Sequence, residues 1–147
     1  MSKYLLRCHD FYFNRISDLK ALAVKLYAQL NHEDFAQHPA VKLLKTVQVA
    51  DQDIIPQDPD QPQYRLKGEL KKYRRHKQGL RRYRLFFCFS SQPPIIVYLY
   101  LNDESHLRKE GSKNDPYEEF KRQIYQGHFS HNPGDPAMQA WLKNYRT

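Results

Sequence analysis

Residues 81–101, RRYRLFFCFSSQPPIIVYLYL, read as two adjacent strands and decide the fold. Along an extended chain successive side chains alternate, so Tyr83, Leu85, Phe87 and Phe89 share one face while Arg82, Arg84, Phe86 and Cys88 share the other. Arg82 and Arg84 are therefore expected to project together. Ser91 to Pro94 form the turn, and Ile95 to Leu101 has no polar face, the pattern of a central strand covered on both sides.

Working upstream, Arg65 to Arg84 (RLKGELKKYRRHKQGLRRYR) holds ten Lys or Arg residues and one Glu, a net charge of +9 against +8 for the whole chain. The positive charge is thus a local feature, and a local patch of this kind calls for an anionic partner. Tyr64 to Leu66 reads as a short strand, Gly68 as a turn, and Leu70 to Lys77 as a basic strand that returns through Gln78-Gly79 into the next. Such a hairpin sets its cations beside Arg82 and Arg84 on a concave surface. Interleaved Tyr64, Tyr73 and Tyr83 suit single-stranded RNA, whose phosphates pair with cations and whose bases stack on rings. A solvated strand pair that only discourages edge pairing is the plainer alternative.

Further upstream, Lys3 to Cys8 reads as a short strand. From Asp10, a candidate cap, Phe13, Ile16, Leu19, Ala23, Leu26 and Leu30 recur at helical spacing. A second helix is expected after Asn31, with Pro39 in its first turn and Val41, Leu44, Val47 and Ile54 on its apolar side, until Pro56, Pro59 and Pro62 stop it. Downstream, a polar run begins at Asn102, and Asp115-Pro116 caps a last helix through Tyr117, Phe120 and Ile124 that Gly127 ends. The fold class is α+β: two N-terminal helices and a C-terminal helix on one side of a small, twisted, mainly antiparallel sheet. Residues 1–127 form one domain, and 128–147 a tail that either docks as a short helix or stays free.

The 147 residues suit one core rather than two. No apolar run approaches the roughly 18 residues that span a bilayer, and MSKYLLRCHD does not read as a signal peptide. Cys8 and Cys88, far apart and in apolar surroundings, read as reduced thiols of a cytoplasmic protein. No Gly-rich phosphate loop, nucleophile elbow or zinc-finger spacing is found. Asp103, Glu104, His106 and Asp115 match no metal-ligand spacing, so neither metal nor cofactor is expected.

RRYRLFF (81–87) followed by NDESHLRKEGSKNDPYEEF (102–120) resembles the YhaV family of bacterial toxins, within the wider RelE-like superfamily. Weaker similarity extends upstream through His9, Phe11 and Lys42-Leu43-Leu44. The resemblance implies a RelE-like fold and a metal-independent endoribonuclease that cleaves mRNA during translation, using the RNA 2′-hydroxyl as nucleophile. It also implies the ribosome as a partner and a neutralising antitoxin of the PrlF type, with an AbrB-like domain, in a hetero-oligomer. Carried over by motif, the catalytic residues are Arg84, Lys77, Arg75, Arg108 and Tyr117. The RNA-binding set is Arg82, Arg81, Arg74, Lys72, Lys71, Tyr73 and Lys113.

Chemistry narrows the roles. Arg is always protonated, and unperturbed Lys and Tyr titrate near pH 10, so electrostatic stabilisation is expected to dominate over proton transfer. Arg84 would stabilise the transition-state phosphate, Lys77 favour deprotonation of the 2′-hydroxyl, Arg75 position the phosphate and Tyr117 stack on or orient the substrate. His76 has the right intrinsic pKa for a base, but alternation turns it away from Arg75 and Lys77. Tyr117 as a core aromatic and Arg108 as surface charge remain open, as do a noncatalytic RNA or ribosome binder and a protein-binding module with an acidic partner.

Overall fold

The computed structural model describes residues 3–145. Met1 and Ser2, in the segment read as the domain, and Arg146 and Thr147, in the segment read as the tail, lie outside the described residues. The elements are β1 (Leu5–His9), α1 (Asp10–Gln29), α2 (His32–Gln37), α3 (Pro39–Val49), β2 (Arg74–His76), β3 (Leu85–Ser91), β4 (Pro94–Leu101), α4 (Pro116–Tyr125), α5 (Pro136–Gln139) and β5 (Leu142–Asn144). They build the α+β architecture expected of a RelE-like toxin, on a five-stranded sheet of order β2-β3-β4-β1-β5. Among the described residues only β1 and β4 pair in parallel.

β4 lies in the middle of the sheet, and its two faces feed two cores. Ile96 and Tyr98 join Tyr12, Ile16 and Leu19 of α1 and Leu43 and Val47 of α3. Val97 and Leu99 join Phe120 of α4, Phe129 and Met138. Helices therefore cover both faces, rather than the one face expected, because a strand with no polar side needs two apolar layers. Between Phe86 and Phe87 the register with β4 slips, so that Phe86 faces Tyr100 and Phe87 faces Tyr98. Leu99 is the extra residue, and this bulge returns Leu101 to the face of Leu85.

The cap of α1 is His9, not Asp10. Its Nδ1 accepts the Phe11 N–H at 3.0 Å and its Nε2 donates to the His128 carbonyl at 2.8 Å. Those partners require the neutral tautomer protonated on Nε2, and burial pushes the His9 pKa down to about 4. The buried stripe of α1 begins at Tyr12, while Phe13 is exposed. The expected second helix is two, since His38 takes the extended backbone favoured before a proline and caps α3 with its own side chain. After Val49 the helix widens into a π-helical turn, Ala50–Ile54, which shifts the phase, buries Ala50 and Asp51, and leaves Ile54 exposed.

The basic hairpin differs most. Tyr64 closes a 3₁₀ turn instead of opening a strand, and Arg65 makes only a single bridge to Arg74. Gly68 to Tyr73 curls over the second core, burying Leu70 and Tyr73, so the strand shortens to Arg74–His76. The turn at Gln78-Gly79 forms, closed by the Leu80 N–H to the Lys77 carbonyl at 3.0 Å, but a second turn follows at once, closed by the Tyr83 N–H to the Leu80 carbonyl at 2.9 Å. Residues 77–84 form a loop in which Leu80 is buried and both Gly79 and Arg81 take positive φ (75° and 55°). β3 consequently starts at Leu85 rather than Arg81.

Residues 128–145 are built into the fold. Phe129 and Met138 fill the second core, β5 pairs antiparallel with β1, and Trp141 stacks on His9 with ring centroids 5.3 Å apart. Tyr145 reaches the first core, where Asp51 accepts hydrogen bonds from Tyr12 at 2.5 Å and Tyr145 at 2.7 Å. Tyr98 donates to the Asp51 backbone carbonyl at 2.5 Å.

Burial pushes the Asp51 carboxyl up from 3.8 to about 7, although both tyrosine hydrogen bonds act the other way. Between those values the folded protein binds the proton that the unfolded chain has lost, so this contribution is full below about 4 and lost as pH rises through 7. Asp51→Asn, which cannot ionise, should therefore gain on the wild type as pH rises from about 4 to about 7 in denaturant titrations. His9, which gains stability over part of the same range, is common to both proteins and cancels. A wild-type-minus-variant difference independent of pH would show that Asp51 is ionised throughout.

Candidate active site

Asp115, buried at the N-terminus of α4, organises the site. Its Oδ2 accepts the Tyr117 N–H at 3.0 Å, which caps the helix. Its Oδ1 accepts the Lys109 N–H at 2.8 Å and Arg108 Nη1 at 2.6 Å. A buried carboxylate requires such partners, and here they orient a cation. The Arg108 guanidinium lies over the Tyr117 ring, 5.1 Å from its centroid. That ring meets Phe86 edge-on at 5.4 Å.

Arg75 completes the cluster from the sheet. Paired opposite Phe86, it points to the α4 face, where its Nη1 donates to the Tyr117 hydroxyl at 3.0 Å and its Nη2 to the Gln63 carbonyl at 3.0 Å. Arg75, Tyr117 and Arg108 thus meet although Arg75 and Arg108 lie 33 positions apart in the chain. Tyr117 is neither a fully buried core aromatic nor a free one, and Arg108 is more than surface charge. Beside them opens a cleft of about 440 Å³ lined in part by Arg108, Ser112, Lys113, Asp115 and Tyr117.

Lys77 and Arg84 stand just beyond the last β2–β3 pair, His76 with Leu85. Neither is paired in the sheet. Lys77 is exposed. Arg84 is half-buried, and its Nη1 turns back to the carbonyls of Arg81 at 2.6 Å and Tyr83 at 2.8 Å. Among the described residues no hydrogen bond joins it to Arg75, Arg108 or Tyr117.

The expected RNA-binding set divides. Lys71, Lys72 and Arg81 are exposed, and Lys113 is exposed at the cleft. Arg82 does not project with Arg84, because neither lies in a strand; its Nε donates to the Arg108 carbonyl at 3.2 Å. Arg74 faces the opposite side of the sheet, over Phe89 and paired with Asp60 at 3.1 Å. Tyr73 is buried against Phe120 and is withdrawn from any RNA surface; Tyr64 is likewise buried, against His76 and Phe87. His76 is itself buried, with its pKa lowered by burial, and its Nε2 pairs with the Gln78 carbonyl.

Sequence reasoning missed the side chains that hold these groups. Asn102, fully buried at the end of β4, contacts both flanking loops. His106 bridges Asp103 at 2.9 Å and Glu119 of α4 at 3.3 Å, fastening the 102–108 loop to the helix. Burial acts to raise both carboxyls, but hydrogen bonds from His106 and Ser105 to Asp103, and from Gln123 and Arg122 to Glu119, outweigh it and hold both below their ordinary values. An asparagine that ends an apolar strand was the one available signal, since it must find partners where the backbone ladder stops. Among the described residues no group of three or more His, Cys, Asp or Glu side chains is arranged to hold a metal ion.

A family model described as a toxin with endonuclease activity, of toxin-antitoxin system, matches residues 6–139. The chain belongs to the YhaV toxin family. It is 31% identical over 121 residues to the ribonuclease toxin YhaV of Escherichia coli strain K12, covering 79% of each chain. Toxin YhaV of Escherichia coli O157:H7 matches to the same extent. No solved structure matches. This YhaV-family protein is accordingly an endonuclease toxin of a toxin-antitoxin system, and the match runs from β1 through α5, across both halves of the site. No helix among the described residues is long and apolar enough to cross a membrane.

Asp115→Ala removes the cap of α4 and the acceptor of Arg108, and should destabilise the toxin by about 1 to 2 kcal/mol in denaturant unfolding. Asp115→Asn, which keeps a cap oxygen, should cost less. An unchanged midpoint for the alanine variant would remove Asp115 from this role.

Proposed function

We propose that this YhaV-family toxin is a metal-independent endoribonuclease acting on mRNA during translation, with the scissile phosphate held at the Arg75–Tyr117–Arg108 cluster. The convergence of two guanidinium groups on one tyrosine beside an open cleft carries the reading. The ribonuclease name of the Escherichia coli relative supports the choice of RNA. In this mechanism the 2′-hydroxyl oxygen attacks the adjacent phosphorus, the new P–O2′ bond forms as P–O5′ breaks, and the proton is delivered to the departing 5′ oxygen. Arg75 and Arg108 bind the non-bridging oxygens, where charge grows in the transition state. The Tyr117 hydroxyl orients the phosphate. Lys77, exposed two residues beyond Arg75, favours deprotonation of the 2′-hydroxyl. Arg84 supplies a further cation once it leaves the Arg81 and Tyr83 carbonyls for the stronger charge-assisted bond to phosphate.

Lys71, Lys72, Arg81 and Lys113 contact the RNA backbone outside the cluster. The toxin works in the cytoplasm, reaches mRNA on the ribosome, and is held inactive in a hetero-oligomer with an antitoxin of the PrlF type, whose acidic surface complements this chain's charge of +8.

The test compares mRNA cleavage, with and without EDTA, on naked RNA and in a cell-free translation reaction. Arg75→Ala and Arg108→Ala should each lose about 100-fold to 1000-fold in rate. Tyr117→Phe keeps the ring packing and should stay within about 1 kcal/mol of wild-type stability while cleaving more slowly. Intact RNA in the presence of folded, RNA-binding wild type would favour a noncatalytic binder, and cleavage abolished by EDTA would overturn the metal-independent mechanism.

A further inference from the structure

Asn102 is 0% exposed, and its side-chain amide makes three hydrogen bonds across the site. Its Oδ1 accepts the Arg84 N–H at 2.7 Å, while its Nδ2 donates to the carbonyls of Arg82 at 3.2 Å and His106 at 2.7 Å. The amide has one orientation only, because an N–H needs the oxygen and two carbonyls need the nitrogen. Its own carbonyl accepts Nε and Nη2 of Arg15, from α1, at 3.2 and 3.1 Å.

The position explains the arrangement. The last β3–β4 pair is Leu85 with Leu101, so Arg84 and Asn102 are next in register. Here the Asn102 side chain takes the Arg84 N–H, the ladder ends, and the two chains diverge into the basic loop and the 102–115 loop. The same two loops are tied by the Arg108 N–H to the Arg82 carbonyl at 2.9 Å and by Arg82 Nε to the Arg108 carbonyl at 3.2 Å. Arg15 closes the outer side, paired with Glu104 at 3.5 Å and lying over the Tyr83 ring.

We propose that Asn102, with Arg15 behind it, is a positioning residue that sets Arg84 and Arg108 at the spacing needed for phosphate cleavage without touching the RNA. This rests on the endoribonuclease reading given above. Aspartate at this position keeps the shape but sets a carboxylate oxygen against two carbonyl oxygens; alanine takes the Asn102 partner from the Arg84 N–H and the His106 carbonyl and leaves the Arg82 carbonyl with the Arg108 N–H alone. The exposed cations that hold RNA phosphates do not depend on Asn102, so catalytic rate and RNA affinity should separate.

The experiment measures single-turnover cleavage, equilibrium RNA binding and amide hydrogen exchange for wild type, Asn102→Asp and Arg15→Ala. A displacement of catalytic groups by about 1 Å is expected to slow cleavage of bound RNA by about 100-fold in Asn102→Asp. Arg15→Ala should lose less. Both should bind RNA as wild type does, with faster exchange at Arg84 and Arg108 and unchanged protection in β4. If Asn102→Asp does not fold, Arg15→Ala alone carries the test, since Arg15 is outside the buried stripe of α1. Wild-type rates and exchange in the variants would overturn the proposal, as would a fall in affinity that accounts for the whole loss of rate. If wild type itself does not cleave RNA, the endoribonuclease reading fails, and the exchange comparison still decides whether Asn102 fixes the two loops.

Discussion

A strand with no polar face must be covered on both sides, and the structure is arranged around that constraint at β4. On one face α1 and α3 supply the cover. On the other, α4 alone does not suffice, and the chain brings in Leu70, Tyr73, Phe129 and Met138. The consequence reaches the site directly. The basic segment has to curl over the second core before it can enter the sheet, and it enters with Arg75 pointing toward α4. Phe86, stacked on Phe120 at 4.2 Å and edge-on to Tyr117, transmits the position of the core to the cluster.

Charge density alone is a poor guide to which cations are available. Within the +9 stretch, Arg74 is paired with Asp60, Arg82 reaches the Arg108 carbonyl, and Arg84 is folded onto its own loop. Carbonyls and carboxylates of the fold hold these side chains at defined places. Cations placed this way can act as preorganised electrostatic groups, whereas Lys71, Lys72 and Lys77, exposed at the ends of four-carbon stems, act as point charges.

The tail matters for the same physical reason as β4. β1 would be an open edge beside the central strand, and β5 closes it. His9, Trp141 and Asp51 then join the tail to both cores through aromatic stacking and hydrogen bonds to buried polar groups. Nothing local in residues 128–145 announces the pairing with β1 or the bonds to His9 and Asp51, because those contacts are made with residues more than ninety positions away.

Legibility followed the range of the interaction. The β3–β4 pairing, the α1 periodicity, the Asp115-Pro116 cap and the Gly127 stop were readable because each depends on neighbours in sequence. The single-helix reading after Asn31 and the Arg81 start of β3 failed where a local bias met a stronger one, namely the extended backbone before Pro39 and the burial of Leu80. Among site residues, the alternation that was to set Arg75 and Lys77 on one face stops at His76, where β2 ends, and Tyr73 was misplaced because a strand was assumed where a turn buries it. By itself the sequence determined the double-faced central strand, the concentration of charge, and the motif that carries the family. Tertiary structure alone decided which cations meet Tyr117 and that Asn102 joins the two loops, since hydrogen bonds between distant segments depend on where packing brings the backbone and leave no periodic trace in the chain.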